Sequence, residues 1–168
     1  SPHYVVEPKS LFRIYRDTRF SKNKDPYKTV ASAYFWHEAG KENTPGFYLH
    51  LEPDQCFVGI GIYQPDTTTR QTIVHTIATK ADEWQAIKNE KAFKKHFKFS
   101  GESLQRVPKP YEQDHPLAED LRRKDFIVVA QLNEKQVCAK DFLDKFETMC
   151  ATAAPLMRFL THTVKLTW

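Results

Sequence analysis

The apolar residues of this chain alternate up to residue 63 and recur at helical spacing beyond it, and that switch confines the fold to a sheet followed by helices. Phe47, Leu49 and Leu51 alternate with Tyr48, His50 and Glu52. Val58, Ile60 and Ile62 form another single-face set, and Glu52-Pro53-Asp54-Gln55 is short enough to join the two as a hairpin. Residues 10–16, with Phe12 and Ile14 set against Arg13 and Tyr15, and residues 29–37, rich in β-branched and aromatic side chains, read as two earlier strands. An antiparallel meander is the simplest arrangement of these segments.

At Pro65-Asp66 a helix is expected to open, with Ile73, Ile77 and Trp84 at helical intervals. Residues 81–97 carry Trp84, Ile87, Phe93 and Phe97 among Lys and Glu, which fits one surface helix or two short ones. A short strand over residues 103–107 and a proline-rich connection over 108–116 follow. Residues 126–132 are continuously apolar, as in a buried strand. From 139 to about 165, Phe142, Leu143, Phe146, Met149, Leu156, Phe159 and Leu160 mark a long terminal helix that Pro155 is expected to kink or divide. The expected fold is α+β: an antiparallel sheet of five to six strands with helices on one face, the terminal helix covering the glycine-bearing or the apolar side.

A chain of 168 residues with 40% hydrophobic content suits one domain over residues 1–168. No stretch approaches the roughly 18 apolar residues of a membrane span, and no charged-then-apolar leader is read in the first residues, so the expectation is a soluble cytoplasmic protein with no membrane partner. Cys56, Cys138 and Cys150 lie far apart, without a Cys-x-x-Cys pair or a histidine at zinc-ligand spacing. They suit a reducing compartment, with Cys138 and Cys150 as small core residues. No metal and no cofactor is called for.

The charge has one address. Residues 12–29 hold six Lys or Arg against two Asp, an excess of four that equals the net charge of the whole chain. Arg16 and Arg19 offer guanidinium forks for phosphate or carboxylate, Asp17 can hold one of them in place, and Lys22, Lys24 and Lys28 add point charges. Pro26-Tyr27 stiffens the turn back toward the next strand. Against this stands the plain alternative that Arg16 and Asp17 pair with each other or with acidic neighbours while the lysines are solvated.

The run from Arg13 to Thr29, followed by Gly46-Phe47-Tyr48-Leu49-His50-Leu51-Glu52-Pro53 and Val58-Gly59-Ile60-Gly61-Ile62-Tyr63-Gln64-Pro65, resembles the family catalogued as domain of unknown function 2461. The similarity extends to Arg70-Gln71, residues 104–110 and Asp114-His115-Pro116. The resemblance implies a fold and a site, with no activity attached. Members of that family usually begin with a further helical segment, so the resemblance implies an N-terminally truncated or processed form here.

Two further features bear on a site. Gly59 and Gly61 share a face with Phe57 and Tyr63, where missing side chains let a helix, a backbone or a ligand approach, a helix being the expected neighbour. Tyr48, His50 and Glu52 share a strand face on which His50 has acid–base capacity and Tyr48 a hydrogen bond to donate. No dinucleotide, Walker or nucleophile-elbow motif occurs, so no reaction is indicated.

Three functions stay open. The first is binding or catalysis on a small molecule bearing phosphate or carboxylate, through Arg16, Asp17, Arg19, Lys24, Tyr27, Lys28, Tyr48 and His50. The second is a structural or interaction module of a larger assembly, with Arg-Asp pairs as buried scaffolding and a protein partner. The third, less favoured, is nucleic-acid binding, with Phe20 or Tyr27 stacking on bases.

Overall fold

A computed structural model describes residues 1–20, 22 and 24–168; Ser21 and Asn23 of the basic segment lie outside the described residues. Strands β1 (Ala31–Trp36), β2 (Gly46–Leu51) and β3 (Cys56–Ile62) form the expected meander. Helices α1 (Thr67–Thr79), α2 (Ala81–Asn89) and α3 (Lys91–His96) follow, then β4 (Lys98–Ser100), α4 (Ala118–Leu121), β5 (Phe126–Leu132), α5 (Glu134–Val137) and α6 (Phe142–Thr163). The antiparallel sheet runs β1-β2-β3-β5-β4, so β5 returns to pair beside β3 and β4 takes the far edge.

Alternation explains why the sheet and the helices meet where they do. On β3, Cys56, Val58, Ile60 and Ile62 are buried, while Phe57 and Gly59 between them are half-buried. The register sets Val58 between Leu49 and Ala130, and Ile60 between Phe47 and Val128, so one apolar ladder crosses three strands. α6 rests on this ladder through Met149, Ala153, Leu156, Met157 and Leu160, spaced along one helical stripe. α1 starts as expected, with the Asp66 carboxylate accepting from the Thr69 N–H at 2.7 Å. That bond, helped by Asn43, holds the Asp66 carboxyl below its ordinary range.

Four expectations are corrected by the fold. Residues 10–16 are not a strand. They make single bridges at Leu11 with Ala33 and at Tyr15 with Tyr27, because the segment leaves the β1 edge part-way and folds back on residues 26–28. Residues 103–107 are not a strand either; Gly101, at φ +96°, turns the chain out of β4, and only Ser103 bridges back, to Arg123. α6 is not divided at Pro155, since proline and the i−4 residue Ala151 both lie on the exposed side, where water can take the released carbonyl. Of the cysteines, Cys138 is exposed at the end of α5 rather than in the core. Cys56 is buried, and burial beside Glu147 pushes the half-buried Cys150 thiol up to about 12. No helix among the described residues is long and apolar enough to cross a membrane.

Gly61 sits at φ +131°, and a Cβ built there would lie 2.0 Å from the Phe126 carbonyl oxygen. The close approach of β5 therefore demands this glycine, and not the arrival of a helix. Gly61→Ala is expected to destabilise the fold by about 3 kcal/mol or more in urea unfolding; a loss under about 1 kcal/mol contradicts the close approach. Iodoacetamide at about pH 8 is expected to alkylate Cys138 in the folded protein and Cys56 and Cys150 only after unfolding, read by peptide mass. Comparable rates at all three would show that the core side of α6 opens readily.

Candidate functional site

The strand face opposite the α6-covered ladder carries the other half of each alternation. Register aligns Tyr34, Tyr48, Gly59 and Val129 in one row, and Ser32, His50, Phe57 and Gln131 in the next. The Tyr34 ring lies across Gly46, where a Cβ would come within 2.5 Å of it. Gly59 differs: its nearest neighbours, Tyr48 and Phe57, would be 3.9 Å from a Cβ, which is ordinary contact. Among the described residues nothing requires a glycine there, and a notch that a Cβ would fit is left against the two rings.

Beside that notch, Tyr48, His50 and Glu52 are linked. The carboxylate of Glu52 can only accept, so His50 Nε2 carries the proton shared over 3.3 Å, and the neutral ring then presents Nδ1 as acceptor for the Tyr48 hydroxyl at 3.0 Å. Phe57 stacks on the imidazole at 4.7 Å, 16° from parallel, and so fixes the plane of the ring. The His50 side chain is 15% exposed and that of Glu52 30%, so the chain of bonds is sheltered but reachable. Glu52 is itself held by Thr29, whose hydroxyl donates to Oε1 at 2.9 Å.

Thr29 is where the basic segment rejoins the sheet, and Phe12, at its other end, meets Tyr48 edge-on at 6.3 Å. Between these anchors the described residues of the segment form an arm whose side chains are exposed apart from half-buried Thr18. Its neck is a ribbon in which Arg16 N–H donates to Pro26 O at 2.9 Å and Lys28 N–H to Ile14 O at 2.8 Å, with the Tyr15 and Tyr27 rings 5.6 Å apart and tilted by 33°. Further out, Arg19 grips Asp17 through Nε at 3.0 Å and Nη2 at 2.7 Å, and Lys24 donates to Thr18 O at 2.9 Å. The Arg19 bond, with a smaller pull from Arg13, holds the Asp17 carboxyl below its usual range. This pair stands in solvent, so it is not buried scaffolding.

Tyr48 and His50 are thus brought together at the foot of the arm, with Arg16, Tyr27 and Lys28 on its neck and Asp17, Arg19 and Lys24 beyond. Arg13, Arg16, Lys22 and Lys28 enter no ion pair among the described residues. The eight expected residues do not line one cavity. Two shallow hollows instead flank the β2–β3 turn, where Glu52, Asp54 and Glu134 give an acidic lining unsuited to an anion. Sequence reading overlooked Thr29 and the part played by Phe57. The first is a cross-strand hydrogen bond with no pattern signal, whereas Phe57 could have been found from its place opposite His50 in the hairpin register. Among the described residues no group of three or more His, Cys, Asp or Glu could hold a metal ion.

A family model described as conserved hypothetical protein (DUF2461) matches residues 2–159. No curated protein and no solved structure matches the chain.

Because the notch at Gly59 is not filled by the protein's own packing, Gly59→Ala is expected to change stability by less than about 1 kcal/mol in urea unfolding. A loss as large as that at Gly61 would mean that the position serves the fold alone.

Proposed function

The chain belongs to the DUF2461 family, and on the geometry of its site we propose that the domain binds a small anion, bearing phosphate or carboxylate, at the foot of the basic arm. The observation that carries this reading is the division of labour among the arm's cations. Arg19 is neutralised by Asp17, whereas among the described residues Arg16 and Lys28 on the neck are engaged only through their backbone and form no ion pair, which leaves their charges for a guest. Lys28 adjoins Thr29, which holds Glu52, so a cation sits one residue from the hydrogen-bonded set Glu52–His50–Tyr48. An exposed guanidinium and ammonium reward a phosphate or carboxylate more than they reward a protein carboxylate with many rivals in water.

Titration with pyrophosphate and citrate, followed by amide shifts in NMR, tests this. Arg16→Ala and Lys28→Ala are each expected to weaken binding about tenfold or more, whereas Lys80→Ala, between α1 and α2, leaves it unchanged. Asp17→Asn releases Arg19 and is expected to tighten binding by about twofold to fivefold, the worth of an exposed ion pair. Equal affinities in wild type, Arg16→Ala and Lys28→Ala reject the reading.

A second reading is favoured by one observation. Phe12, Tyr15, Phe20 and Tyr27 are all exposed among the cations, and Phe20 is 95% exposed, as suits rings that stack on single-stranded bases. Fluorescence anisotropy with a thymidine oligomer at low salt distinguishes the two. Binding that falls steeply with salt and weakens in Phe20→Ala supports nucleic acid; no binding at low salt excludes it.

A further inference from the structure

We propose that Tyr48 is an activated phenol, a nucleophile toward phosphoryl donors, with His50 as its base and Glu52 as the group that orients and charges the base. The geometry follows the order of a nucleophile–histidine–carboxylate relay: Tyr48 Oη to Nδ1 at 3.0 Å, Nε2 to Glu52 at 3.3 Å, and Thr29 fixing Glu52 from behind at 2.9 Å. Only one tautomer satisfies these bonds, and it is the one that receives a proton from the phenol. Tyr48 and His50 stand two residues apart on β2, with Glu52 one residue beyond its end, so strand backbone sets the spacing of the nucleophile and its base. Phe57 locks the imidazole plane.

The groups around His50 make the transfer consistent. On β2 it meets Tyr48, and just past the strand's end Glu52; β1 sets uncharged Ser32 opposite it, and β3 sets Phe57. The arm contributes Thr29, with Lys28 beside it in the chain. Glu52 is thus the only described carboxylate bonded to the ring, and it favours the imidazolium that forms when the phenol gives up its proton. In the step, Tyr48 Oη bonds to phosphorus, the bond from phosphorus to the leaving oxygen breaks, and the phenol proton passes to Nδ1 and then to the leaving group or to water. The choice of a phosphoryl donor rests on the anion reading above; the activation of Tyr48 stands on the relay alone.

Benzenesulfonyl fluoride, an uncharged probe, tests activation without the anion site. Tyr48 Oη forms a bond to sulfur, fluoride departs, and the proton goes to His50. At about pH 7.5 peptide mapping is expected to place the sulfonyl group on Tyr48 ahead of the exposed Tyr15, Tyr27 and Tyr63, and His50→Asn is expected to slow the reaction about a hundredfold. In that variant the rate is expected to climb steadily with pH and not to level off, a change of profile that a structural role for His50 would not produce. Equal rates in wild type and His50→Asn at neutral pH, or preferential labelling of the exposed tyrosines, overturn the proposal. With acetyl phosphate as the charged donor, a phosphate ester on Tyr48 that Lys28→Ala diminishes is expected; sulfonylation without any phosphorylation overturns the phosphoryl assignment.

Discussion

Burial of the β3 ladder beneath α6 is the constraint on which the rest of the molecule depends. Val58 and Ile60 are wholly shielded from water, and they sit at the centre of a sheet whose neighbours on both sides supply matching apolar side chains. Each such side chain contributes about 1.5–3 kcal/mol on leaving water, and the ladder gathers several of them in one place. Because side chains alternate, seating these residues under the helix obliges Tyr48, His50, Phe57 and Gly59 to face the other way. The candidate site is therefore a geometric consequence of the core, held by the same strands at the same register.

The arm follows a different logic. It buries little, and it is tied to the sheet at its two ends: Phe12 donates its N–H to Ser32 O at 2.9 Å and sets its ring on Tyr48, and Thr29 holds Glu52. Its internal ion pair between Asp17 and Arg19 stands in water, where such pairs stabilise little. The segment adds little to the fold, yet carries six cations and four exposed aromatic rings, which is the ground for the binding role proposed for it. Two of its anchors, on Tyr48 and Glu52, lie on the relay residues themselves.

The two halves are complementary in chemistry. The strand face is rigid, sheltered and able to move a proton; the arm is charged, exposed and able to neutralise an anion. Neither half alone forms a pocket. Rigid strands hold the groups that need angular precision, and the charges that act over longer distance sit on the arm.

Much of this was legible in the residues. Alternation located β2 and β3 within a residue, an unbroken apolar run located β5, the Asp66 cap located the start of α1, and the shared face of Tyr48, His50 and Glu52 follows from their spacing alone. Residues 10–16 misled because an alternating segment pairs continuously only where a partner edge runs beside it, and β1 offers that edge for only part of the way. The roles of Gly59 and Gly61 could not be told apart from their neighbours in the chain, since the difference lies in how near β5 approaches. By itself the sequence determined which residues alternate, which cap and where the charge lies, all properties of a few neighbouring residues. Only the tertiary structure decided that β5 enters beside β3, that Arg19 is spent on Asp17 while Arg16 and Lys28 are not, and that Thr29 closes on Glu52. Those outcomes depend on contacts between segments far apart along the chain, which local spacing does not encode.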